Sequence, residues 1–113
     1  MKKWIFFFLF STINFLSPFG CKYDKLDDCV PSDIKFSTAV NPIIQSSCAV
    51  PGCHDGTVYT GDYRTYAGLK ANVDNGTFKA RVIDVHAMPP VNKLSECQYK
   101  ILKAWYDAGA PDN

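Results

Sequence analysis

The stretch at residues 46–56, "SSCAVPGCHDG", sets two thiols, Cys48 and Cys53, four residues apart and follows the second at once with the imidazole of His54. The spacer "AVPG" contains Pro51–Gly52, a pair suited to a tight turn that would hold the two sulfurs at a fixed separation. A short-loop disulfide, a metal site and a covalent group bridging both sulfurs all fit this arrangement locally. The compartment, the other cysteines and the presence of a further ligand decide among them.

The chain has 113 residues, which bounds it to one domain. Its 12 basic and 11 acidic side chains give a net charge of +1 with no long run of either sign. That balance leaves no electrostatic footprint for nucleic acid. Lys2 and Lys3 precede the apolar run "WIFFFLFSTINFL", the shape of an export signal over residues 1–20. Ser11, Thr12 and Asn14 interrupt the run, and it falls short of the ~20 apolar residues that a membrane span needs.

Gly20–Cys21 at the end of the run resembles the lipobox of bacterial lipoproteins, in which the cysteine becomes the acylated N-terminal residue. Pro18 and Phe19 depart from the residues that pattern prefers. Residues 21–33, with "YDKLDD", read as a short polar tether, and residues 34–113 as the folded domain. Export implies an oxidising compartment where disulfides persist. A domain of roughly 80 residues is marginal on hydrophobic burial alone and commonly recruits disulfides, a metal or a cofactor.

Phe36, Val40, Ile43 and Ile44 recur at helical spacing ahead of Cys48, with Ser37 available as a cap. Pro42 requires either a bend or a regular helix with Asn41 as its cap and the proline in its first position. Pro51, Gly52, Gly56 and Gly61 mark a loop over residues 51–64. A second helix is expected from Thr65 to about Asn75, with Tyr66, Leu69 and Val73 on one face and Asn75–Gly76 as its stop. "FKARVI" suits a short helix and an extended segment equally.

The last helix has the clearest boundaries. Ser95 and Gln98 form a capping-box signature, Cys97, Ile101, Trp105 and Ala108 stack at steps of three and four with Leu102 alongside, and Gly109 ends it. No segment alternates with period two, so the fold is expected to be mostly helical.

The five cysteines are Cys21, Cys29, Cys48, Cys53 and Cys97. With Cys21 consumed by lipid, four thiols remain and allow three disulfide connectivities. A haem reading uses Cys48 and Cys53 for thioether bonds to two vinyl groups, puts His54 on the iron, and leaves Cys29 with Cys97. The usual signature is Cys-x-x-Cys-His; here the spacer is four residues. Of the two methionines, Met1 leaves with the signal, and Met88 lies in "HAMPPV", where Pro89 and Pro90 stiffen the chain beside it. A Met sulfur opposite His raises the reduction potential of haem iron.

The helix ending "NPIIQSSC", the Cys-His pair, the "MPP" loop and the final helix ending "WYDAGAP" together resemble the small c-type cytochrome domains of bacterial exported proteins. The similarity is to lipid-anchored single-haem members and covers roughly residues 29–113. It implies an all-α, cytochrome c-like fold in which the first and last helices cross and the edge of one covalent haem c stays partly exposed. The implied ligands are His54 and Met88, the attachment residues Cys48 and Cys53, and the partners redox proteins. The localisation implied is periplasmic or at an outer-membrane surface, with the membrane reached through the lipid on Cys21.

The same residues support other readings. His86 rivals Met88 as an axial ligand. Cys48, Cys53, His54 and His86 make a possible zinc set, although structural zinc ligands usually come in closer pairs. Arg64, Arg81 and the tyrosines at 59, 63 and 66 are candidates for binding haem propionates. No nucleophile–base pair, phosphate loop or paired carboxylate points to an enzyme. The alternative function is a disulfide-stapled exported binding or structural module without haem.

Overall fold

Three α-helices and two π-helical segments make up the regular structure of residues 29–113, the part of the chain that the computed structural model describes. The expected signal segment, the Gly20–Cys21 lipidation site and the first part of the tether lie outside the described residues. No strand forms among the described residues; one isolated antiparallel bridge joins Asp55 and Asp62. No helix among them is long and apolar enough to cross a membrane.

The first helical stretch has two parts. A π-helical segment, Phe36–Val40, runs into helix α1, Asn41–Ser47, with Pro42 in its opening turn. Val40 N–H reaches back five residues to Lys35 O at 3.4 Å. This widened turn comes immediately ahead of Pro42, whose ring would otherwise press on the preceding turn. Phe36, Val40, Ile43 and Ile44 are all buried, the face that their spacing predicted.

The cap of this stretch differs from the expectation. Ser37 does not cap it. Instead Asn113 comes from the far end of the chain: Phe36 N–H donates to Asn113 Oδ1 at 2.6 Å and Ser37 N–H to Asn113 O at 2.9 Å. A partner 77 residues away satisfies the same orphan donors that a local side chain would.

Helix α2, Tyr66–Asp74, starts at Thr65, whose side chain accepts from Gly68 N–H, and closes at Asn75. "FKARVI" resolves into a second π-helical segment, Lys79–Asp84. Helix α3, Glu96–Asp107, opens with a complete capping box between Ser95 and Gln98 and is followed by Gly109 at φ 93°. Its buried side chains are Tyr99, Leu102 and Trp105. The stripe of steps through Cys97 and Ile101 is only partly buried, and Ala108 is exposed. The core-facing direction of α3 is therefore rotated toward Tyr99.

Trp105 is the centre of the core, fully buried between Phe36 of the first π-helical segment and Phe78, just ahead of the second. Its ring lies 5.7 Å from Phe36 and 6.2 Å edge-on from Phe78, and Phe36 meets Tyr66 at 5.1 Å. Such pairs add about 0.5–1.5 kcal/mol each beyond the area they bury. Trp105 Nε1–H donates to Pro111 O and Tyr66 O–H to Ala110 O, so the C-terminal residues are tied across the core. Cys29 and Cys97 form a disulfide, which fastens the start of the described chain to the first turn of α3. A disulfide fits an oxidising, exported environment.

Candidate haem site

The loop from Cys48 to Tyr63 leaves α1 and closes on itself. Cys53 N–H donates to Val50 O at 3.0 Å with Gly52 at φ 79°, so Pro51–Gly52 forms the tight turn its sequence suggested. His54 N–H donates to Cys48 O at 3.0 Å, and Tyr63 N–H returns to His54 O at 2.8 Å. Thr60 Oγ1–H donates to Cys53 O at 2.6 Å. These bonds fix the two cysteines and the histidine relative to one another through backbone atoms.

Cys48, Cys53, His54 and Met88 all line one cavity of about 470 Å³, a volume within the range of cofactor and small-molecule sites. Two separate loops supply them. Phe78, Val82 and Pro89 furnish apolar wall, so the second π-helical segment forms one side of the cavity. Arg81 is the one cationic side chain among the lining residues, and no carboxylate lines it. Arg64, the rival candidate, is engaged by Asp62 through two hydrogen bonds of 2.8 and 2.7 Å. That pairing holds the Asp62 carboxyl down at about 2.

The His54 ring is held at its edge and its face. Nδ1 lies 2.9 Å from Thr60 O. A carbonyl only accepts, so Nδ1 carries the proton and Nε2 is left with the lone pair that a metal uses. Tyr63 stacks on the ring with centroids 4.0 Å apart and planes 5° from parallel. Tyr63 is buried, and burial raises its hydroxyl pKa.

Met88 is pinned beside the cavity by backbone contacts. Ala87 and Met88 N–H groups both donate to Arg81 O, at 2.8 and 3.1 Å, and Tyr99 O–H donates to Met88 O at 3.4 Å. His86 is not among the cavity's lining residues. It stacks on Tyr99 at 3.8 Å and lines a second, smaller cavity with Glu96 and Lys103. The proposed zinc set is thus not assembled: among the described residues no three His, Cys, Asp or Glu side chains gather as a metal-ion site. Tyr59 is fully exposed and Tyr66 is turned to Ala110 O, so of the three tyrosines only Tyr63 faces the cavity.

Cys48 and Cys53 are free thiols. Burial, with a smaller contribution from the charge of Cys53, pushes the Cys48 thiol from 9.0 up to about 11. Iodoacetamide at pH 8 should therefore label Cys53 before Cys48, as peptide mapping after a short pulse on the protein with both thiols unmodified would show. The sign of the linkage follows: the fold favours the neutral thiol, so Cys48 contributes nothing adverse below pH 9 and lowers stability as pH rises from 9 toward 11. Denaturant midpoints of the protein with both thiols unmodified, at pH 8 and pH 10.5, check this, with the lower value expected at pH 10.5.

The sequence did not reveal Thr60, Tyr63 and Asn72 as a set around His54. Phe78 and Val82 had a faint signal, their four-residue spacing within "FKARVI". Comparison of the chain with protein-family models, with curated proteins and with solved structures finds no match.

Proposed function

We propose that this chain is a lipid-anchored, exported c-type cytochrome that carries one electron at a time. The observation that supports this most is the convergence of Cys48, Cys53, His54 and Met88, from two loops, on one largely apolar cavity. The donor set fits a haem: two thiols for attachment, an imidazole with its outer nitrogen already bonded, and a thioether. Haem supplies the one-electron couple, and a His/Met pair raises its potential.

In this reading Cys48 and Cys53 would hold the haem, each thiol adding its sulfur to one vinyl carbon and its hydrogen to the neighbouring carbon, with no net oxidation. His54 would offer Nε2 and Met88 its sulfur to the iron, from separate loops. Phe78, Val82 and Pro89 would keep water from the group, and Arg81 would offer its guanidinium to a propionate. The alternative, a stapled module without haem, shares the Cys29–Cys97 bridge but gives no reason for two free thiols on an apolar cavity.

Substituting the cysteines tests attachment directly. Cys53→Ser, made in a host competent for haem attachment, should retain haem through one thioether at most. Cys48→Ser combined with Cys53→Ser should lose all covalent haem, read as the absence of the haem increment in the intact mass. A double variant that still carries covalent haem would refute the assignment of these two residues.

A further inference from the structure

We propose that Asn72 is the positioning residue for the His54 imidazole, setting the ring's orientation without touching it. The inference rests on the reading of His54 as an iron ligand and adds a residue that controls that ligand. Asn72 is partly buried on α2, a helix that contributes no attachment residue or proposed ligand. Its Nδ2 lies 2.8 Å from Tyr63 Oη and 3.4 Å from Thr60 O. A side-chain amide has two N–H donors, so one group serves both acceptors. The amide's orientation is itself fixed, because Asn72 Oδ1 accepts from Asn75 Nδ2 at 3.2 Å.

Those two acceptors are the contacts that hold the imidazole. Tyr63 lies flat against its face at 4.0 Å, and Thr60 O receives its Nδ1 proton at 2.9 Å. The face and the edge of His54 are thus both referred to a single amide on a helix. Gly61, between Thr60 and Tyr63, permits the approach: a Cβ there would stand 3.0 Å from Asn72 Nδ2. Thr60 O also divides its acceptor capacity between His54 and Asn72. Removing the Asn72 donor leaves the carbonyl to His54 alone, which makes the imidazole more electron-rich and stabilises the ferric state.

The test uses the full chain loaded with haem. Proton spectra of the oxidised protein report the orientation of the axial imidazole through the shifts of the four porphyrin methyl groups, and a redox titration gives the midpoint potential. Asn72→Ala and Asn72→Asp should both redistribute the methyl shifts and lower the potential. Asp74→Ala, on the same helix and paired with Lys70 at the surface, should superpose on the wild type. Asn72→Asp keeps the side-chain shape and decides the matter alone should Asn72→Ala fail to fold. Asn72 variants with wild-type methyl shifts and potential would overturn this inference alone. A wild-type chain that takes up no haem would overturn the proposed function and this inference with it.

Discussion

Met88→Ala should lower the midpoint potential of the haem-loaded protein by on the order of 0.1 V or more, within the roughly 0.8 V that axial ligands span. A thioether favours ferrous iron, so its loss favours ferric iron. The same substitution should open the iron to cyanide in the ferric state and to carbon monoxide in the ferrous state. Met88→His should keep six-coordination at a lower potential. The backbone around residue 88 is held to Arg81 O and to the Tyr99 hydroxyl independently of the side chain, so the alanine variant should keep its loop in place. His86→Ala supplies the contrast: His86 stacks on Tyr99 beside a different cavity, and its loss should leave the visible spectrum unchanged. A spectrum altered by His86→Ala and untouched by Met88→Ala would make the axial pair bis-histidine.

Cys29→Ser combined with Cys97→Ser should destabilise the domain by roughly 4 kcal/mol, the chain-entropy value for closing a loop of this length. The bridge spans a sequence separation of 68, with a Cα–Cα distance of 5.8 Å that suits a disulfide. Removing both sulfurs avoids a lone thiol that could pair with Cys48 or Cys53. Total stabilities of small domains are about 5–15 kcal/mol, so the denaturant midpoint should fall steeply. A midpoint equal to that of the wild type would mean that burial around Trp105 holds the ends of the chain without the bridge.

The features legible in the sequence are those written in neighbouring residues. Pro51–Gly52 forms its turn, Thr65 starts α2, and Ser95 with Gln98 closes the capping box of α3. Each depends on a side chain within a few residues of the backbone group it serves. The features that were not legible depend on partners distant in sequence. Asn113 capping the π-helical segment at Phe36 has no local mark, and Ser37, the plausible local cap, lost to it. The π-helical form of Lys79–Asp84 likewise has no residue signature, because its register is set by what the segment packs against. The buried face of α3 is legible only in part for the same reason. Leu102 and Trp105 lie on it as their spacing predicts, but Tyr99 completes it, because periodicity gives the spacing of a face and the position of Trp105 against Phe36 and Phe78 gives its direction.

The site divides along the same line. Cys48, Cys53, His54 and Met88 could be singled out because few residue types can hold a haem and the chain contains few of them. Their meeting on one cavity needed the fold, as did the choice of Arg81 over Arg64 and of Tyr63 over Tyr59 and Tyr66. Asn72 had no sequence signal: an asparagine beside the apolar face of a short helix is ordinary until Thr60 and Tyr63 are seen beside it.

The claim that this chain carries a covalent haem is tested most directly by the visible spectrum of the purified wild-type protein, recorded oxidised and reduced and again after extraction with acidified organic solvent. The chain is made in a host competent for haem attachment. Covalent attachment requires sharp absorption bands on reduction and a chromophore that stays with the polypeptide through extraction. A protein without visible bands, or one whose haem is wholly removed by the solvent, would contradict it.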